Sequence, residues 1–254
     1  MKVMILAAGK GTRVWPVTKI IPKPMIPILR KPIMESLIEH FKKYGVSEYV
    51  VNTSYMSSSI ENYFRDGSLL GVDITYSFEG KIVNDKLQPD ALGSAGGMKK
   101  VQEFSQFFDD TFMVICGDAW IDLDIDKVCE FHKEKGGIAT IVLQDVAPEE
   151  VHKYGVVQTD SNGKILKFQE KPAQEDAISN SVNTGIYIFE PEIFDYIPKG
   201  EEFDIGSQLF PLLVRENVPF YGLSSPFQWV DVGNLTDIWQ ATSDILTGKI
   251  SGYP

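Results

Sequence analysis

The apolar run Val3-Met4-Ile5 passes directly into Leu6-Ala7-Ala8-Gly9-Lys10-Gly11-Thr12-Arg13, and this junction constrains the chain more than any other stretch. Two glycines one residue apart let a backbone turn sharply and approach a ligand, because neither carries a Cβ and both reach positive φ at little cost. Successive N–H groups in such a turn form an anion-binding nest. Lys10 and Arg13 add positive charge, Arg13 with a fork that matches phosphate oxygens. The loop is therefore expected to hold a polyphosphate. An ordinary glycine turn after a strand is the competing reading, since the stretch lacks both the closing Gly-Lys-Ser/Thr of a P-loop and the third glycine of a dinucleotide fingerprint.

Pro16, Pro22, Pro24, Pro27 and Pro32 follow at once. A proline inside a helix costs about 3 kcal/mol, so no helix can start where a dinucleotide-binding fold would need one. A nicotinamide-dependent oxidoreductase is disfavoured on that ground. A long, stiff loop is expected instead, carrying Lys19 and Lys23 back past the glycine turn.

Beyond the loop, strand-like and helix-like runs alternate: Val3–Leu6, helix Ile33–Tyr44, Tyr49–Asn52, helix Ser57–Phe64, Asp73–Tyr76, helix Ala95–Phe104 and Phe112–Cys116. Such alternation predicts an α/β fold, with a parallel sheet and helices on both faces, and ligands at the carboxyl ends of the strands. The glycine loop and Gly117-Asp118 both leave strands at that edge and are expected to face each other. The second half changes character, with strands at Ile138–Leu143, Gly155–Thr159, Ile165–Gln169, Val182–Phe189 and Phe220–Gly222 and a hairpin turn at Asp160-Ser161-Asn162-Gly163-Lys164. The expectation is a mixed, mainly parallel central sheet between helices with an antiparallel insert.

Several polar residues sit where chemistry is expected. Asp118 ends a buried strand and suits Mg²⁺, which takes one or two carboxylates with phosphate oxygens and water; a simple turn start is the alternative. Asp231, inside Trp229-Val230-Asp231-Val232-Gly233, needs a cation because burying an unpaired carboxylate is costly. That cation is either a salt-bridge partner or a Mg²⁺ shared with Asp118. Leu92-Gly93-Ser94-Ala95-Gly96 gives a helix start open to close approach by a base or ribose, or a plain cap through Ser94. The polar stretch 79–91 before it reads as a mobile loop. Glu170 and Asn183 are suitable partners for sugar hydroxyls and Lys171 for a sugar phosphate, although each is also an ordinary strand-end residue.

Composition narrows the partners. With 254 residues, 43% of them hydrophobic, the chain is long enough for one large α/β domain, and no linker or repeat divides it. A formal net charge of −11 argues against nucleic acid or an anionic membrane as partner. Cys116 and Cys129 read as buried thiols in a reducing compartment. The apolar stretch Val3 to Ala8 is short for an export signal, and no run reaches the roughly 18 apolar residues of a membrane span, so a cytoplasmic location is expected. The chain stops at residues 251–254 without an obvious end signal, and a homo-oligomer stays open.

The order of motifs resembles that of the sugar-1-phosphate nucleotidyltransferases: Leu6 to Arg13, Lys23-Pro24, Leu92-Gly93-Ser94-Ala95-Gly96, Gly117-Asp118, Tyr154-Gly155-Val156-Val157, Glu170-Lys171-Pro172, Asn183-Thr184-Gly185 and Trp229-Val230-Asp231-Val232-Gly233. The resemblance covers nearly the whole chain. It implies a Rossmann-like nucleotidyltransferase fold in a single catalytic domain over 1–254, with a nucleotide-binding part to about residue 135 and a sugar-binding part after it. It also implies a reaction between a nucleoside triphosphate and a sugar 1-phosphate that yields an NDP-sugar and pyrophosphate.

By the same resemblance Leu6, Ala7, Ala8, Gly9, Gly11, Thr12 and Arg13 bind the nucleotide, with Leu92, Gly93 and Ala95 around base and ribose and Glu79 in the place of a base contact. Arg13, Lys23 and Asp118 are the implied catalytic residues, and Asp118 and Asp231 the implied Mg²⁺ ligands. Tyr154, Gly155, Glu170, Lys171, Asn183 and Gly185 are implied around the sugar phosphate. The motifs look most like the mannose-1-phosphate guanylyltransferase branch. Against that branch stand Ala7-Ala8-Gly9 where it has Gly-Gly, and the long link from Gly80 to Ala91. Thymidylyl, uridylyl or adenylyl transfer to glucose 1-phosphate therefore stays open, as does a non-catalytic subunit that binds nucleotide sugar.

Overall fold

The computed structural model describes residues 1–250; residues 251–254, with the chain's stopping point, lie outside the described residues, as do the side chains of residues 86 and 87. The chain divides into two units that interleave along the sequence. The first comprises Lys2–Ala91, Cys116–Asp124 and the segment from Phe227 onward, the second Leu92–Ile115 and Ile125–Pro226 with Met1.

In the first unit, the runs rich in β-branched residues form parallel strands. Lys2–Leu6 pairs with Glu48–Thr53, ending at Leu6 opposite Asn52, and Glu48–Thr53 pairs with Asp73–Phe78. Helix Ile33–Lys42 buries Ile33, Met34, Leu37, Ile38 and Phe41, the one-sided stripe that a helix packed on a sheet requires. Helix Ser57–Phe64 buries Ile60 and Phe64 in the same way. The proline-rich stretch makes short 3₁₀ turns at Thr12–Val14, Val17–Lys19 and Lys23–Met25, so the chain does lack a helix there.

A local core explains why the chain returns to this unit at its end. Val14, Ile26, Ile28 and Ile33 pack with Trp120, Val232 and Ala241, and Ile238 and Ile245 of helix Leu235–Leu246 lie against them. Asn234 starts that helix with a reciprocal cap: its side chain accepts from the N–H of Asp237, whose carboxylate accepts from the N–H of Asn234.

The stretch after Glu79, expected from its polarity to be a mobile loop, has regular structure. Gly80–Val83 and Lys86–Pro89 form an antiparallel hairpin, turned by Asn84 and Asp85 at φ of 50° and 58°. Asn and Asp tolerate this left-handed conformation, and two such residues in succession make the turn whose twist matches a hairpin.

In the second unit, Phe112–Cys116 runs antiparallel to Ser181–Phe189, which also pairs with Ala139–Asp145. Ala139–Asp145 lies parallel to Phe220–Ser224. The insert is the hairpin Gly155–Thr159 with Ile165–Glu170, attached at Val156 opposite Val182. Its turn is held by Asp160, whose carboxylate accepts from the N–H groups of Asn162 and Lys164, with Gly163 alone at positive φ.

Helix Ile125–Lys135 has no counterpart among the runs recognised in the sequence, because only Ile125, Val128 and His132 of it are buried. Both cysteines are half-buried rather than buried. Cys116 is the last residue of its strand, and Cys129 lies off the buried face of its helix. Among the described residues, no helix is long and apolar enough to cross a membrane.

Candidate active site

The first unit gathers its charged groups at the carboxyl end of Lys2–Leu6. Ala7 and Ala8 are buried, and then Gly9, Lys10, Thr12 and Arg13 are exposed. Only one of the two glycines is demanded by the fold. Gly11 sits at φ 61°, and a Cβ on it would come within 3.0 Å of Thr18 and 3.1 Å of the Lys23 Cβ. Gly9 has nothing within 4 Å of such a Cβ, so its face is open to a ligand. Lys23 therefore comes back against the glycine turn, as the stiff loop predicted. Lys19 does not; its ammonium lies 4.4 Å from the ring centroid of Trp15.

Gly117 donates its N–H to the carbonyl of Leu6 at 3.0 Å, so Gly117-Asp118 and the glycine loop leave the same end of the unit. The next residues, Ala119–Ile121, pair antiparallel with Trp229–Asp231, with Asp231 opposite Ala119. That pairing puts two carboxylates side by side. Lys23 answers both. Its ammonium forms an ion pair with Asp118 and lies 3.9 Å from Asp231.

The electrostatics follow from this geometry. Burial works against the charge on Lys23, but Asp118 and Asp231 outweigh it and hold the ammonium's pKa above its ordinary value. Asp231 is pushed up to about 6, first by burial and then by the charge of Asp118, while Lys23 and Arg13 pull it down. Two carboxylates that repel each other, with one ammonium between them, form an oxygen donor set that could hold Mg²⁺ together with phosphate oxygens and water. Among the described residues, no group of three or more His, Cys, Asp and Glu converges as a metal site. A two-carboxylate site does not require one.

Glu79, implied as a base contact, is sealed inside the first unit. It is 0% exposed, and its carboxylate accepts from the side-chain amide of Asn52 at 2.7 Å.

In the second unit, Leu92-Gly93-Ser94-Ala95-Gly96 opens helix Gly93–Ser105. The close approach permitted by its glycines is taken by the chain itself. A Cβ on Gly93 would lie 2.5 Å from the carbonyl oxygen of Phe203, and one on Gly96 would lie 2.7 Å from that of Glu201. Ser94 donates to the carboxylate of Asp204 at 2.7 Å and does not cap its own helix. Gly93→Ala is expected to destabilise the protein by about 3 kcal/mol, through strain at positive φ and overpacking against backbone. Thermal unfolding should report a loss of roughly 5–10 °C, and an unchanged midpoint would mean that 201–203 yields freely.

The other residues expected near a sugar lie on adjoining strands of this unit. Gly155 pairs with Glu170, and Asn183 follows the residue opposite Val156. A Cβ on Gly155 would lie 3.0 Å from the Glu170 carboxylate and 2.5 Å from Phe168, so the position has no room for a side chain. Lys171, at φ 47°, places its ammonium 2.7 Å from Glu170 and donates its N–H to the carbonyl of Tyr154. Asn183 accepts from the N–H of Gly185 and donates to the hydroxyl of Tyr187, both at 2.9 Å. An amide has two acceptor and two donor positions, so one of each is left for a hydroxylated ligand.

With this geometry in place, the likeness to known proteins is informative. The family model described as nucleotidyl transferase matches residues 2–248. The chain is 59% identical over 250 residues to a UTP–glucose-1-phosphate uridylyltransferase of Synechocystis sp., a match covering 98% of this chain and 64% of that one. It is 31% identical over 246 residues to a mannose-1-phosphate guanylyltransferase of Mycobacterium tuberculosis, covering 96% and 64%. It thus spans under two thirds of the length of both relatives. Among solved structures, a UDP-glucose pyrophosphorylase complexed with UDP-glucose superposes with a TM-score of 0.80 at 23% identity, over 97% of this chain and 98% of that one, a likeness of α/β fold. On the family model and the 59% identity together, the chain belongs to the nucleotidyl transferase family.

Proposed function

We propose that this chain forms the catalytic part of a sugar-1-phosphate nucleotidyltransferase, joining a nucleoside triphosphate to a sugar 1-phosphate with release of pyrophosphate. The observation that carries the reading is the ammonium of Lys23 between Asp118 and Asp231, beside the exposed loop of Gly9 to Arg13. In this reaction a phosphate oxygen of the sugar attacks the α-phosphorus in line, and no protein nucleophile is needed. Catalysis then rests on positioning and on neutralising charge. The loop N–H groups and Arg13 hold the triphosphate, and Lys23 meets its phosphates near the reacting centre. Mg²⁺, held by Asp118 and Asp231, would supply further neutralisation of the phosphate oxygens. Tyr154, Gly155, Glu170, Asn183 and Gly185 receive the sugar, and Lys171 its phosphate.

For the substrate pair, the reading shifts from GTP with mannose 1-phosphate to UTP with glucose 1-phosphate. Its support is the difference between 59% identity to a relative named for the second pair and 31% to one named for the first. The buried position of Glu79 adds to it, since the guanine reading leaned on that residue as a base contact.

The test is pyrophosphate release with Mg²⁺ across a grid of nucleoside triphosphates against glucose, mannose, galactose and N-acetylglucosamine 1-phosphates. The expected result is a maximum at UTP with glucose 1-phosphate, at least tenfold above GTP with mannose 1-phosphate. A maximum at the latter pair returns the assignment to the guanylyl branch. Silence across the grid from a protein that still binds nucleotide would make it a binding subunit.

A further inference from the structure

We propose that Asn52 is a positioning residue for the glycine loop, locked in place by Glu79. The inference rests on the loop's proposed role in holding the triphosphate. It starts from the end of a ladder. Lys2–Leu6 and Glu48–Thr53 pair in parallel up to Leu6 opposite Asn52, where the first strand must turn away to make the loop. The N–H of Ala7 is then left without a strand partner in a residue only 3% exposed. The side-chain oxygen of Asn52 takes that N–H at 2.8 Å, standing in for the carbonyl that a longer ladder would offer.

An amide can do this only in one of its two orientations. Glu79 selects it: its carboxylate accepts from the Asn52 amide nitrogen at 2.7 Å, and a carboxylate has no N–H to offer the reversed amide. Glu79 is itself fixed. Its N–H donates to Thr53 at 2.7 Å, its carbonyl accepts from the Ser54 hydroxyl at 2.6 Å and from the N–H of Asp90 at 3.1 Å, and it is 0% exposed. The result is a buried chain of polar groups from Glu79 through Asn52 to the first peptide of the loop. It sets the direction in which Ala7-Ala8 leads Gly9 and Lys10 into solvent. Aspartate at 52 would lose the donor and set a second carboxylate against Glu79, and an apolar residue would strand the Ala7 N–H and take the Asn52 amide from Glu79.

The test measures calorimetric binding of UTP, GTP and inorganic tripolyphosphate, none of which requires turnover, together with amide hydrogen exchange at Ala7. Asn52→Ala is expected to raise Kd about tenfold for all three probes alike and to speed exchange at Ala7. Glu79→Leu is expected to do the same, and Glu79→Gln, which keeps an acceptor for the Asn52 amide, to restore both to within about threefold of the parent. A folded Asn52→Ala that binds tripolyphosphate like the parent overturns the proposal. So does a Glu79→Gln whose preference between UTP and GTP changes while tripolyphosphate binding does not, because Glu79 would then be reading a base.

If Asn52→Ala does not fold, Asn52→Ser and the two Glu79 variants carry the same comparison. A parent that binds tripolyphosphate but releases no pyrophosphate with any substrate pair refutes the proposed reaction and leaves the Asn52 proposal to be decided by the binding arms. A parent that binds none of the probes refutes both.

Discussion

Lys23→Met is expected to lower turnover about 10²–10³-fold, the scale on which removal of a preorganised charge acts in a transition state, and to destabilise the protein as well. The second effect comes from what the substitution leaves behind. Asp118 and Asp231 lose their common cation, and Asp231, already pushed up to about 6, rises further. Breaking a buried ion pair costs about 3–5 kcal/mol. The carboxylate side chains here are 25% and 21% exposed, so a smaller loss of about 2 kcal/mol is expected. Steady-state kinetics with thermal unfolding checks both, and a variant with parental kcat would remove Lys23 from the reaction whatever its midpoint.

Asp118→Asn separates the two effects. Turnover is expected to fall by about 10²–10³-fold, because one of the two carboxylates able to hold a divalent cation is gone. The midpoint is expected to move by less than about 3 °C, since Lys23 keeps Asp231 as partner and the repulsion that raises Asp231 is relieved. The carboxyl of Asp231 should then titrate closer to the ordinary carboxylate range, which NMR can follow. Near-parental turnover with Mg²⁺ would rule out a metal shared by these residues.

Particular residues show why part of the site was legible in the sequence and part was not. Asp118 and Asp231 stood out because each interrupts or ends an apolar run, and a carboxylate there needs a cation. Lys23 stood out as well, carried back past the glycine turn, but nothing local marked it as the partner of both carboxylates. Only the pairing of Ala119–Ile121 with Trp229–Asp231, over a core shared with Ile26 and Ile28, brings the three together.

Glu79 and Gly93 show the opposite, with partners in the fold that their spacing did not announce. Their spacing fits a ligand site, yet in the fold Glu79 holds Asn52 and Gly93 makes room for Phe203. Asn52 itself carried no signal, being one polar residue at the end of a strand.

The sequence by itself determined the longer strands, most of the helices, the absence of a helix after the glycine loop and the family. These rest on local terms: apolar periodicity, the fixed φ of proline, the freedom of glycine, and motifs read in order. The tertiary structure alone decided which charges meet, which polar groups are sealed from water, and which glycines face protein and which face open space. Those are properties of segments far apart in the chain, and burial, which gives a carboxylate its partner or its pKa, exists only once the segments have packed.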